Sequence, residues 1–216
     1  MNKEKKIIGI FVIIAVILVA GFITLFQFSS PKIYGNKGGS SGDVSRYVSR
    51  DIPMTDSNGS NRKLMDLKGK VWLISHVFTR CPGQCAGVCV VLDEIRKEVN
   101  DKKNLHFVSV TLDPNHDTPD HLKAFSNKHG FVSDDWWFLT GNSSELNNYM
   151  LDVFSLAAQE KKESERINDD DIFAHKPMVA LINHELKIEG WYNPFDKRSS
   201  EALREKLIFA LNKAKS

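Results

Sequence analysis

Val71-Trp72-Leu73-Ile74-Ser75-His76-Val77-Phe78-Thr79-Arg80-Cys81-Pro82-Gly83-Gln84-Cys85 decides the reading of this chain. The run Val71 to Phe78 is apolar and β-rich, the pattern of a buried strand. After the cysteines, Cys85, Val88, Leu92, Ile95 and Val99 recur at helical spacing, which predicts a helix from Gln84 to about Val99. Two thiols therefore sit between a core strand and a helix mouth. Unpaired N–H groups give a helix N-terminus partial positive charge, which favours thiolate over thiol. Thiolate is both the nucleophile of disulfide exchange and a ligand for soft metals. The pair points to redox chemistry, to copper or zinc binding, or to both. By spacing alone it also fits a structural disulfide of an exported protein.

Outward from this segment, the N-terminus carries a different signal. Ile7 to Phe26 is an apolar run with no charged side chain and Thr24 as its only hydroxyl. About 20 helical residues span the roughly 30 Å hydrocarbon core of a bilayer. A cleaved signal peptide has a shorter apolar region and a small-x-small end, and Leu25-Phe26-Gln27-Phe28 offers none. Lys3, Lys5 and Lys6 precede the run and favour a cytoplasmic N-terminus. The expected plan is a cytoplasmic segment 1–6, a transmembrane anchor 7–26, a flexible Ser/Gly-rich linker 27–46 and a single domain 47–216 outside the cytoplasm. The N-terminus has no Arg-rich presequence, so the inner (cytoplasmic) membrane of a bacterium, with a periplasmic domain, is the expected location.

Without the three lysines and one glutamate of residues 1–6, the 29 basic and 27 acidic residues balance at 26 each. A neutral domain lacks the basic footprint of a nucleic-acid binder. All three cysteines lie between positions 81 and 89, so the chain is no multi-disulfide scaffold.

The rest of the domain alternates strands and helices. Leu105 to Leu112 is a second β-rich run, and Asp113 to Pro119 a loop. Thr118 is placed to cap a helix with Pro119 in its first turn, ending near Gly130. Trp136 to Thr140 reads as a short strand, with one tryptophan expected inward and one outward. Ser143 or Ser144 is the expected cap of a helix to about Leu156, and Gln159 to Asp171 a polar loop. Met178 to Ile182 and Leu186 to Trp191 read as a hairpin, and Ser199 or Ser200 as the cap of the last helix. The expected fold class is α/β, with a central mixed sheet covered by helices on both faces. A dithiol at the end of the first core strand fits a thioredoxin-like layout.

Four ordered segments resemble the Sco/SenC family of copper-binding cytochrome c oxidase assembly proteins. Val77 to Cys85 is similar to its Cys-x-x-x-Cys segment, and Ser109 to Pro119 to its Asp-Pro-x-x-Asp-Thr-Pro loop. Phe138-Leu139-Thr140-Gly141 resembles its Leu-Thr-Gly strand end, and Phe173-Ala174-His175 its histidine segment. The resemblance implies a thioredoxin-like fold and one copper ion per chain, with Cys81, Cys85 and His175 as metal ligands. It implies copper delivery to, or maturation of, the two-copper site of oxidase subunit II, with that subunit or another cuproprotein as partner and a copper donor or thiol reductant upstream. Departures from the family pattern are Arg80 where many relatives carry His, Ala86 in place of proline, Lys176-Pro177 after the histidine, His76 in the strand, and the extra Cys89.

Rival readings use the same residues. In a thiol–disulfide oxidoreductase, Cys81 attacks and Cys85 resolves. A copper or redox sensor would rest on Cys89 alone, which otherwise reads as a small buried hydrophobe. A peroxidase would need an activating arginine, for which only Arg80 is at hand. Asp113 and Asp117 are expected to fix their loop and cap the helix. Asp169-Asp170-Asp171 reads as a solvated run, with a cation or a basic partner as its other use.

Overall fold

The computed structural model describes residues 47–81 and 84–215, with Gln84 and Cys85 described as backbone only. The anchor expected at 7–26, the linker at 27–46 and the Pro82-Gly83 step lie outside the described residues. Among the described residues no helix is long and apolar enough to cross a membrane.

The chain begins with two short strands, β1 (Met54–Asp56) and β2 (Asn61–Arg62), then a single 3-10 turn at Leu64–Leu67. The quoted apolar run forms β3 (Val71–Val77), in which every residue is buried. It leads to α1 (Gln84–Glu98), β4 (Leu105–Thr111), α2 (Pro119–His129), β5 (Trp136–Gly141) and α3 (Ser143–Phe154). Two three-residue strands follow, β6 (Ala158–Glu160) and β7 (Phe173–His175). The chain ends with β8 (Val179–Ile182), β9 (Ile188–Tyr192) and α4 (Lys197–Lys213).

Among the described residues, seven strands form one mixed sheet in the order β2-β1-β5-β4-β3-β8-β9. β3, β4 and β5 run parallel, with Val77 of β3 opposite Thr111 of β4, while β8 pairs antiparallel on the other side of β3. β3 is thus central, and alternate side chains enter opposite faces. Leu73 and Val77 join α1, α2 and α4 in one core cluster. Trp72 and Ile74 join α3 and the N-terminal segment in the other. A strand buried on both faces needs a continuous apolar run, which is why Val71–Val77 does not alternate. The expected mixed sheet with helices on both faces is what the chain forms.

Local chemistry sets the helix starts. Thr118 caps α2, its hydroxyl accepting from the His121 N–H, with Pro119 next in line and Gly130 closing the helix at φ 76°. Two expected caps are displaced. Asn142, not a serine, caps α3 through the Glu145 N–H, and Asp196 caps α4 through the Ser199 N–H at 2.8 Å. Asn and Asp cap as well as serine does, and these two stand three residues before the N–H they take. Trp136 and Trp137 both pack inward, each against a different core cluster, because both sheet faces are covered.

The expected polar loop at Gln159–Asp171 is a correction. Its start belongs to β6, which pairs antiparallel with β7 in a separate two-stranded sheet, Ala158 opposite His175. Three residues are too few to show an alternating pattern.

Candidate metal centre

β3 delivers Phe78, Thr79, Arg80 and Cys81 to the C-terminal edge of the sheet. Phe78 is 3% exposed and forms a small cluster with Leu112, against which Cys81, Ala158, Ile172 and Phe173 pack. The Phe78 and Phe173 rings meet edge to face, 5.3 Å between centroids. The Cys81 N–H donates to the Phe78 carbonyl at 3.0 Å, closing a tight turn that aims the chain toward α1. Cys81 is half-buried.

Beneath this turn lies Asp117, fully buried. Its carboxylate accepts from the Thr79 N–H at 3.2 Å, from the Thr79 hydroxyl, and from the Thr111 hydroxyl at 2.6 Å. His116 Nδ1 lies 3.0 Å from the same carboxylate. Asp113 accepts from Arg80 Nη2 at 2.5 Å. Both aspartates fix the loop, as expected, but neither caps α2, a task that Thr118 performs.

His175 ends β7, half-buried, with Nδ1 3.4 Å from the Lys176 carbonyl oxygen. It lines a cleft of about 760 Å³ together with His76, Leu156, Ala158, Gln159 and Met178. The register partner of His175, Ala158, packs in the same small cluster as Cys81. The fold therefore brings the hairpin of His175 onto the turn of Cys81. Cys85 stands in the first turn of α1, four residues on, and its side chain lies outside the described residues. Among the described residues no three His, Cys, Asp or Glu side chains gather as a metal-binding group.

Two further residues differ in kind. Cys89 is fully buried on α1, 4.0 Å from the Ser109 hydroxyl, and burial pushes its thiol up to about 12. Such a thiol stays protonated and inert, the small buried hydrophobe of the first reading. His76 is 5% exposed, with Nε2 donating to the Leu156 carbonyl at 3.1 Å. Burial holds its imidazole down at about 4, so it is neutral at ordinary pH. Its ring lies 6.2 Å from that of His175, edge to face. A histidine inside an apolar strand run was the sequence signal for this neighbour, and spacing alone did not connect it to position 175.

The donor types fit a soft metal. The Cys81 turn and the hairpin that carries His175 lie against a shared apolar cluster, and a second cysteine follows four residues later, in the first turn of α1. Thiolate and imidazole suit copper(I) or zinc, whereas a site for a hard cation needs carboxylates or carbonyls.

Comparisons with known proteins agree with this architecture. The SCO1/SenC family model matches residues 44–210. The SCO1 protein homolog of Bacillus subtilis is 29% identical over 153 residues, 70% of this chain and 76% of that one. The solved structure of BsSco, described as having a disulfide switch and as a member of the Sco family of cytochrome c oxidase assembly proteins, superposes with a TM-score of 0.63. It is 25% identical, over 76% of this chain and 93% of that one. Bradyrhizobium japonicum ScoI, solved with copper bound, superposes with a TM-score of 0.61 at 22% identity, over 74% of this chain and 98% of that one. With its mixed α/β thioredoxin-like fold and a family match over most of its length, this chain belongs to the SCO1/SenC family.

Proposed function

We propose that this protein is a membrane-anchored copper metallochaperone that takes part in maturing the two-copper site of cytochrome c oxidase subunit II. The observation that carries the reading is the packing of the Cys81 turn and the His175 hairpin against one cluster, Phe78 and Leu112. The ligands are Cys81, Cys85 and His175, holding one copper ion per chain. Two thiolates and an imidazole favour copper(I) over harder cations. Binding releases thiol protons, so affinity rises with pH. Relatives named for oxidase assembly and a relative solved with copper bound support the assignment.

The anchor is residues 7–26, the N-terminus 1–6 is cytoplasmic, and 27–46 tethers the domain 47–216 at the periplasmic face of the inner membrane. A tether of Ser and Gly gives the domain reach toward a membrane-bound partner without fixing its orientation.

A second reading is favoured by the half-buried Cys81 beside a helix mouth and by the disulfide switch of BsSco. As an oxidoreductase, the Cys81 thiolate attacks a partner disulfide and forms a mixed disulfide. Cys85 thiolate then displaces the partner thiolate, leaving the partner reduced by two electrons and this chain oxidised to Cys81–Cys85. Copper(I) titration of the reduced full-length protein in detergent separates the two. The metallochaperone reading expects one ion per chain, lost in Cys81→Ser and in Cys85→Ser. Tight binding that survives either substitution contradicts it.

A further inference from the structure

We propose that Arg80 is a positioning residue that fastens the hairpin bearing His175 to the turn bearing Cys81. This rests on the copper reading and names a residue on which its geometry depends.

His175 does not sit on the seven-stranded sheet. It belongs to the separate β6–β7 ladder, so no main-sheet hydrogen bond sets its distance from Cys81. Its place is set by the short link to β8, which begins four residues on, and by side-chain contacts. Two are the Phe78–Phe173 and His76–His175 ring contacts. Another is Arg80, whose guanidinium reaches two carboxylates at once. Nη2 meets Asp113 at 2.5 Å, and Nη1 meets Asp170 at 3.7 Å. Asp113 belongs to the loop built around buried Asp117, and Asp170 belongs to the connection between β6 and β7. The planar fork of arginine spans two such partners with separate nitrogens, which a lysine ammonium or an imidazole at this position does not.

The aspartate run divides its labour accordingly. Asp171 works inside the hairpin, accepting from Lys161 Nζ at 2.6 Å and from the Ile167 N–H at 3.0 Å, and so stiffens it. Asp170 faces outward to Arg80. Asp169 and Asp170 are exposed, as expected of a solvated run, while Asp171 closes the hairpin and Asp170 also reaches Arg80. The Asp113 arm is short and mostly buried, while the Asp170 arm is longer and half-exposed, so the hairpin side is the weaker one.

The test is copper(I) affinity of the reduced full-length chain in detergent, measured against a chromophoric chelator. Asp170→Asn is the gentler variant, because it leaves the Arg80–Asp113 pair intact. An exposed ion pair of this kind is worth up to about 1 kcal/mol, so Asp170→Asn is expected to weaken binding by about fivefold. Arg80→Lys is expected to match it. In a His175→Ala background, Asp170→Asn should change affinity by less than about twofold, since it acts through the imidazole. An equal loss in both backgrounds, or none in either, overturns the proposal. Hydrogen exchange decides it independently. Amides of residues 158–161 and 172–175 should exchange faster in Asp170→Asn while β3 is unchanged, and unaltered exchange there overturns the fastening. If the unmodified protein binds no copper(I), the copper reading fails and the exchange result alone judges Arg80.

Discussion

Asp117 accepts hydrogen bonds from both the backbone N–H and the hydroxyl of Thr79, two residues before Cys81. The same carboxylate takes the hydroxyl of Thr111, on the neighbouring parallel strand. One buried side chain therefore sets where the first cysteine leaves the sheet. In Asp117→Asn an amide NH2 replaces one acceptor oxygen and faces donors. Hydrogen bonds to a charged group are worth about 1.5–3 kcal/mol, so a stability loss of about that size is expected in urea denaturation. Asp120→Asn, in the exposed first turn of α2, serves as the control, expected within about 0.5 kcal/mol.

His106 gives a pH signature remote from the cysteines. It is 1% exposed, neither ring nitrogen has a hydrogen-bond partner among the described residues, and Trp137 packs on its edge. Burial first, then Lys70 and Arg62, hold its imidazole down at about 3. Unfolded, the ring titrates near 6.5, so the unfolded state binds more protons as pH falls below that value. Its contribution to stability is whole above about pH 6.5 and is lost progressively as pH falls toward 3. His106→Phe keeps an aromatic ring in the site and removes the unpartnered nitrogens. The stability of that variant should fall less steeply than the parent's between pH 6.5 and 4, read from denaturation midpoints. Parallel curves would show that His106 does not titrate on unfolding.

Cys89 should be silent in native chemistry. A fully buried thiol held near 12 carries almost no thiolate at pH 8. Alkylation of the reduced native protein at pH 8 is expected to modify Cys81 and Cys85 and to reach Cys89 only in denaturant. Cys89→Ser buries a hydroxyl in an apolar cluster and is expected to cost about 1–3 kcal/mol, with copper(I) stoichiometry unchanged. Rapid native labelling of Cys89 would mean that α1 opens locally.

The strand Val71–Val77, the helix after it and the Thr118-Pro119 helix start were legible because each is a local pattern. A continuous apolar run, a 3.6-residue repeat and a cap followed by proline need no knowledge of distant residues. The roles of Asp113 and Asp117 as loop fixers were legible from residue type, though their partners Arg80 and Thr79 were not. What escaped was non-local. β6 and β7 are three residues each and find each other across the Lys161–Ile172 connection, leaving no periodic trace. His76 and His175 approach only because β3 and this hairpin meet at the cleft. Asp170 is exposed, as its sequence suggested, but its pairing with Arg80 left no local trace because the counter-ion lies on another loop. His175 entered the site reading through family resemblance, and only the fold puts its ladder partner Ala158 in the cluster that holds Cys81.

The central claim, that copper handling rather than thiol exchange is the function, turns on His175. Closing a Cys81–Cys85 disulfide needs no imidazole, while a two-sulfur, one-nitrogen copper site does. The decisive measurement is therefore oxidase assembly in cells carrying His175→Ala, with copper(I) affinity and disulfide-exchange rate measured on the same purified variant. The expected result is weakened copper binding and failed assembly with exchange intact. Full assembly by a variant that no longer binds copper and still exchanges disulfides would contradict the account and make thiol redox the function.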